Sequence, residues 1–209
     1  SRAQAVTGIN QGQISSMTCD VTSSESIAQA VRATVEKFGR IDVLINNVGG
    51  SAPGGPVEMS EEVWHAQIGH NLTSVFLTCK HVLPLMEAQG SGAIVNMAST
   101  SGIRWTGAAQ VAYAATKAAV IQMGRVIAVQ YAKKGVRVNT VAPGLIDTPI
   151  YGQGDQSEAF KAQLQKGVLF PQKLGKPEQL ASMVLECITN SYMNAETIRV
   201  DGGIRMPPK

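Results

Sequence analysis

Tyr113 and Lys117 stand four residues apart in Tyr113-Ala114-Ala115-Thr116-Lys117. The apolar periodicity around them predicts a helix, so both side chains leave the same face. A phenol, with a reference pKa of about 10, is a poor acid near neutral pH. A neighbouring ammonium favours the phenolate and brings the proton within reach of transfer, which makes the pair a candidate general acid/base. Such a pair arises often by chance, and its company in the chain is what gives it weight. Ser99 closes a strand-like run, Ala93 to Ala98, fourteen positions before Tyr113. Asn71 lies mid-helix among Ile68, Leu72, Val75 and Phe76, where an amide needs a special partner. Asn46-Asn47-Val48-Gly49 ends one strand, and Pro143-Gly144-Leu145-Ile146-Asp147-Thr148 follows another.

The elements that must position these residues alternate in period. Gln13–Cys19 reads as a short strand, and Thr22-Ser23-Ser24-Glu25 as a capping box for a helix carrying Ile27, Val31, Val35 and Phe38 up to Gly39. Ile41–Ile45 predicts a strand, Ser60–Gln89 a long helix, Ala93–Ala98 a strand and Gln110–Lys133 an Ala-rich helix. Val136–Ala142 predicts another strand, Pro177 opens a helix at its first turn, and Thr197–Val200 closes as a final strand. Strand and helix alternating at this spacing imply right-handed crossovers and a parallel sheet covered on both faces, in one domain spanning 1–209. Ligands bind such sheets at the carboxyl ends of the strands, where the polar residues above fall.

Composition narrows the classes. The chain has 209 residues, 44% hydrophobic and 16% charged, with a formal net charge of +3. Lys and Arg are scattered, so neither a nucleic-acid nor a membrane stripe is expected. Cys19, Cys79 and Cys187 form no CxxC and read as free thiols in a reducing compartment. No apolar run is long enough to span a bilayer, and no metal-ligand spacing is present. The expectation is a soluble cytoplasmic protein without a metal.

With Cys19-Asp20-Val21-Thr22, the Asn46–Gly49 turn, Asn71-Leu72, Asn96-Met97-Ala98-Ser99, Tyr113–Lys117, Asn139–Gly144 and Val200-Asp201-Gly202-Gly203 in this order, the chain resembles the short-chain dehydrogenase/reductase family along its length. The resemblance implies a Rossmann-type doubly wound α/β fold and an NAD- or NADP-dependent interconversion of a secondary alcohol and a ketone. It implies Tyr113 as the acid/base, with Lys117 holding the nicotinamide ribose and lowering the Tyr113 pKa. Ser99 would hold the substrate oxygen, with Ser101 in reserve, and Asn71 a water linking Lys117 to solvent. Asp20 and Val21 would contact adenine, Asn47, Val48 and Gly49 would border the adenosine, and Pro143, Gly144, Ile146 and Thr148 would receive the carboxamide side.

Three departures stand out. The Ser99–Tyr113 spacing is one longer than the family's usual, with the extra residue falling in Ile103-Arg104-Trp105-Thr106. Val48 replaces the usual Ala, as it does in the dihydrodiol dehydrogenases this turn is similar to. The Gly-rich phosphate loop is absent, since no strand precedes Gly8 or Gly12. The expectation is that a first strand-helix-strand unit, roughly 40 to 45 residues, belongs before Ser1. Without it, one strand should separate from the sheet and another should bare its apolar edge.

The stretch from about 145 to 173 corresponds to the family's substrate lid. Val168–Pro171, Glu196–Arg199 and Ile204-Arg205-Met206 look like the mitochondrial 3-hydroxyacyl-CoA dehydrogenases, which favours a 3-hydroxyacyl or 3-oxoacyl substrate. The alternatives are a dihydrodiol or other cyclic alcohol, and a catalytically silent cofactor sensor on the same fold. A homo-oligomer, a tetramer with two-fold axes, is expected through the two long helices and through Pro177–Ile188 with the last strand.

Overall fold

The computed structural model describes residues 14–152 and 154–204. Four parallel strands, β1 (Val43–Asn46), β2 (Gly92–Met97), β3 (Val136–Pro143) and β4 (Thr197–Val200), lie in the order β1-β2-β3-β4. β2 and β3 are almost wholly buried because helices cover both of their faces. Ile94, Val138 and Ala142 pack under α3 (Ser74–Gln89) and α4 (Val111–Tyr131), against Val82, Met86 and Val120. Val95, Met97 and Val141 pack on the other face under Cys187 of α6 (Pro177–Thr189). The sheet is doubly wound, as expected.

Most predicted elements form close to their expected bounds. Gly39 ends α1 (Ser24–Phe38) in the left-handed conformation, its N–H donating to the Val35 carbonyl. The long helix from Ser60 is interrupted: α2 (Glu61–Ile68) passes through a π-helical turn, Gly69–Thr73, into α3. Pro177 occupies the first turn of α6, and the three carbonyls Cys187, Ile188 and Met193 at its far end all accept from the Arg137 guanidinium of β3. This clamp gave no sign in the sequence. The lid stretch carries a short 3-10 turn, Pro149–Tyr151, and α5 (Asp155–Gln165).

Two local readings need correction. Residues 14–20 form no strand, because nothing among the described residues pairs with them, and Gln13 lies outside those residues. The outer edge of β1 is likewise unpaired, and Val43 and Ile45 on it are exposed. The cap of α1 is Ser23, whose hydroxyl accepts from Ser26 N–H, rather than Thr22. Thr22 instead donates to Asp20 from both its N–H and its hydroxyl, while Glu25 accepts from Gln29 and Arg32.

Two glycines separate backbone strain from overlap. Gly39 and Gly135 both have positive φ, +84° and +79°. A Cβ at Gly39 meets nothing, whereas one at Gly135 falls on the Gly90 carbonyl oxygen, where β3 begins beside the α3–β2 turn. Gly39→Ala should cost about 1 kcal/mol, the left-handed penalty alone. Gly135→Ala should cost clearly more, read as a larger drop in the urea midpoint at unchanged slope.

Candidate active site

Tyr113 and Lys117 lie in the first and second turns of α4, and Ser99 sits where β2 has just ended and the 3-10 turn Thr100–Gly102 begins. Ser99 and Lys117 are buried, and Tyr113 is partly so. The approach of turn to helix is close: a Cβ on Gly102 would lie 2.6 Å from the Ala118 nitrogen and the Lys117 carbonyl carbon. Only glycine lets the Ser99 turn rest on the α4 backbone at that height.

Burial pushes the Tyr113 phenol above its ordinary value, and the nearby Ser99 hydroxyl pulls the other way through a contact short of a well-formed hydrogen bond. The downward pull expected from Lys117 is not felt. Its ammonium stands 5.6 Å from the Tyr113 ring centroid and is itself lowered to about 8 by burial. Desolvation therefore acts on both groups, keeping the phenol protonated and weakening the ammonium. Lys117 Nζ donates to the Met97 carbonyl at 2.8 Å, and no carboxylate pairs with it among the described residues.

Asn71 lies fully buried inside the π-helical turn, a feature that often marks functional positions. Its carboxamide accepts from Gly50 N–H and donates to the Gly50 carbonyl, both at 2.9 Å, and donates to Gln67 at 3.0 Å. The side chain thus pins the turn after β1 to the helix, and it has no donor left for a water. A Cβ on Gly49 would lie 3.0 Å from Asn71 Oδ1 and 3.1 Å from Lys117 Nζ, so this turn passes directly over the lysine.

The remaining sequence candidates lie on other segments. Asn47, Val48 and Gly49 are exposed at the end of β1. Asp20 is exposed and accepts from Thr22, and Val21 adjoins it, both in the segment detached from the sheet. Pro143 ends β3 and Gly144 N–H donates to the Val200 carbonyl. Ile146 bridges to Gly175, and Thr148 precedes the 3-10 turn. Reasoning from sequence missed two residues. Tyr151 is half-buried and held above its ordinary value by desolvation, then by Asp147 and Tyr113, so it stands near the Tyr113 phenol. Arg104 lines a cavity beside Ala114 and ion-pairs with Asp201. Neither carries a signal that spacing could reveal.

A family model described as enoyl-(acyl carrier protein) reductase matches residues 1–205. A 3-oxoacyl-(acyl-carrier-protein) reductase of Thermotoga maritima is 37% identical over 197 residues, covering 92% of this chain and 78% of its own. A levodione reductase of Leifsonia aquatica is 35% identical over 211 residues, 97% of this chain and 79% of its own. A crystal structure of a putative short-chain dehydrogenase/reductase from Burkholderia xenovorans superposes with a TM-score of 0.85 at 49% identity, over 90% of this chain and 74% of that one. The chain belongs to the short-chain dehydrogenase/reductase family. It is an NAD(P)-dependent oxidoreductase interconverting a secondary alcohol and a ketone. No helix among the described residues is long and apolar enough to cross a membrane.

The centre fits the cofactor's nicotinamide-ribose half. An ammonium has three donors, Lys117 spends one on Met97, and the glycine at position 49 leaves space beside it where acceptor hydroxyls can come close.

The lowered Lys117 pKa has a consequence for stability. Between about 8 and the ordinary 10.5, the folded chain has released a proton that the unfolded chain still holds. Stability contributed by this group therefore rises with pH across that window. Urea midpoints measured from pH 7.5 to 9.5 should climb for wild type relative to Lys117→Met, which lacks the titration. Parallel profiles would show that Lys117 titrates normally.

Proposed function

We propose that the enzyme reduces a ketone by proton donation from Tyr113, with the Ser99 hydroxyl holding the carbonyl oxygen and Lys117 holding the nicotinamide ribose. The observation that carries this reading is the convergence of the Tyr113 phenol and the Ser99 hydroxyl at the end of β2, with the buried Lys117 ammonium beside the Tyr113 ring. NADH or NADPH, when bound, supplies the hydride. Tyr113 gives its proton to the ketone oxygen as the carbonyl carbon is reduced, and a phenol kept protonated by burial is poised for that direction. The Lys117 ammonium then steadies the phenolate until it regains a proton.

Around that centre, Asp20 and Val21 meet the adenine and Asn47, Val48 and Gly49 border the adenosine. Pro143, Gly144, Ile146 and Thr148 receive the carboxamide side. Asn71 acts by fixing the Gly49–Gly50 turn over Lys117, and the water assigned to it is held through the main chain. The substrate is a 3-oxoacyl compound, a class supported by the named activity of the Thermotoga maritima, Synechocystis and Vibrio cholerae relatives, at 36–38% identity. The protein works as a homotetramer in the cytoplasm. Supporting the assembly are Phe76 on α3, Val126 and Val129 on α4 and Leu185 on α6, all exposed apolar side chains. Three free cysteines agree with a reducing compartment.

Tyr113→Phe keeps the ring and its packing and removes the transferable proton. Turnover of a 3-oxoacyl substrate should fall by at least about 100-fold, with NAD(P)H affinity by fluorescence titration little changed. Lys117→Ala should weaken both. Near-normal turnover in Tyr113→Phe overturns the mechanism.

A further inference from the structure

A cavity of about 450 Å³ opens between Gly55–Pro56 and the loop that joins Ser99 to α4. Its size suits a small molecule. One wall is pinned: Gly54 N–H donates to the Ala109 carbonyl and Val111 N–H to the Gly54 carbonyl, so the loop after β1 is stitched to the start of α4. The walls are chiefly apolar, with Pro56, Trp105, Ala108, Val111 and Ala114 among them. Ser101 and Ala114 also line it, and they sit two residues after Ser99 and one after Tyr113. The cavity is thus built chiefly on the segment that links the two ends of the proposed reacting centre, Ser99 and Tyr113.

Arg104 is the cationic residue of this wall. One of its terminal nitrogens lies 3.3 Å from Asp201 Oδ2, and Arg199 Nε lies at the same distance from that same oxygen. Two guanidinium groups thus share one carboxylate, and one positive charge is left without a partner among the described residues. Arg104 Nε is buried and makes no hydrogen bond. A guanidinium has five donors, and this one places a single bond, on Asp201. The remaining carboxylate nearby, Glu58, is not part of the wall; it is exposed and accepts from Gly55 N–H. The segment carrying Arg104 and Trp105 is also the one that holds the extra residue between Ser99 and Tyr113.

We infer that Arg104 is a specificity-determining residue, and that the substrate is an acidic ketone whose apolar body fills the cavity while its carboxylate meets the Arg104 guanidinium. This rests on the proposed ketone reduction at Tyr113 and specifies its substrate. A guanidinium matches a carboxylate in planar, two-bond geometry, which a neutral ester cannot return. A site built around an unmet donor discriminates strongly against a ligand that leaves it unmet.

The test compares 1-methyl 3-oxohexanedioate, whose far carboxyl is ionised, with its dimethyl ester, which lacks that charge and carries one more methyl group. Wild-type kcat/KM should favour the anion by at least tenfold, mainly through a lower KM. Arg104→Met should bring the ratio close to one, and Arg104→Lys should keep its direction. A wild-type ratio near one overturns the assignment without requiring any variant to fold, and so does an unchanged ratio in Arg104→Met. Turnover of both esters without preference removes only the role of Arg104. Failure to reduce either ester or any simple ketone removes the Tyr113 reading with it.

Discussion

Lys117 is 4% exposed and carries an ammonium whose protein partner is a carbonyl at the end of a strand. Removing such a charge from water is costly unless hydrogen bonds replace the solvent, and Met97 supplies one of three. The depressed pKa, about 8, records the shortfall. The geometry around it follows from this one constraint. α4 must lie close enough to β2 for Nζ to reach Met97, and Gly102 removes the side chain that would hold the two apart. The turn at Gly49 must pass above the ammonium without a Cβ, and Asn71 holds that turn in place from within the helix. The donors left over on Lys117 are the reason the site can receive hydroxyl groups.

The height of the Met97 carbonyl depends in turn on strand register. Asn46, Asn96, Thr140 and Thr197 are register partners, forming one polar row that crosses all four strands. Asn46 donates to Asn96 at 2.9 Å and accepts from Thr78 of α3 at 2.7 Å. A parallel strand slipped by one residue would turn this row into the opposite face and bury its amides without partners. The row is not fully satisfied: Asn96 Nδ2 and Thr197 Oγ1 make no hydrogen bond among the described residues. It is better understood as a device that fixes register next to the site than as a source of stability. The same glycine logic recurs above it, since Gly124 of α4 would set a Cβ 2.7 Å from Thr140 Oγ1.

What the sequence disclosed, and what it hid, divides along this line. Periodicity found α4 because it is long and largely apolar, while Gly135 and Pro143 bound β3 and Pro177 opens α6. The pairing of Tyr113 with Lys117 was legible because a helix fixes residues four apart on one face. The π-helical turn at Asn71 was not, since its sequence is ordinary helix and it shows only in the main-chain bond from Ser74 N–H to the Gly69 carbonyl. The direction of the Tyr113 shift was also hidden: charge proximity argues downward, and burial, which no spacing displays, argues upward and prevails. The segment from residue 14 to 20 has strand composition, yet composition cannot supply a neighbour to bond to.

The groups proposed to handle the proton and those proposed to recognise the substrate sit on different kinds of structure. Ser99, Tyr113 and Lys117 belong to the end of β2 and the body of α4, where rotamers are locked by close packing. Arg104 and Trp105 belong to a loop that crosses between those two elements and lengthens without disturbing either end. Such loops tolerate change for the same reason that they carry specificity, and rigid elements hold the chemistry that must not move. The bond from Arg104 to Asp201 limits that freedom, because Asp201 lies directly after β4 and is itself shared with Arg199. The loop is thus anchored at one charged point to the end of β4, which holds its cation in place.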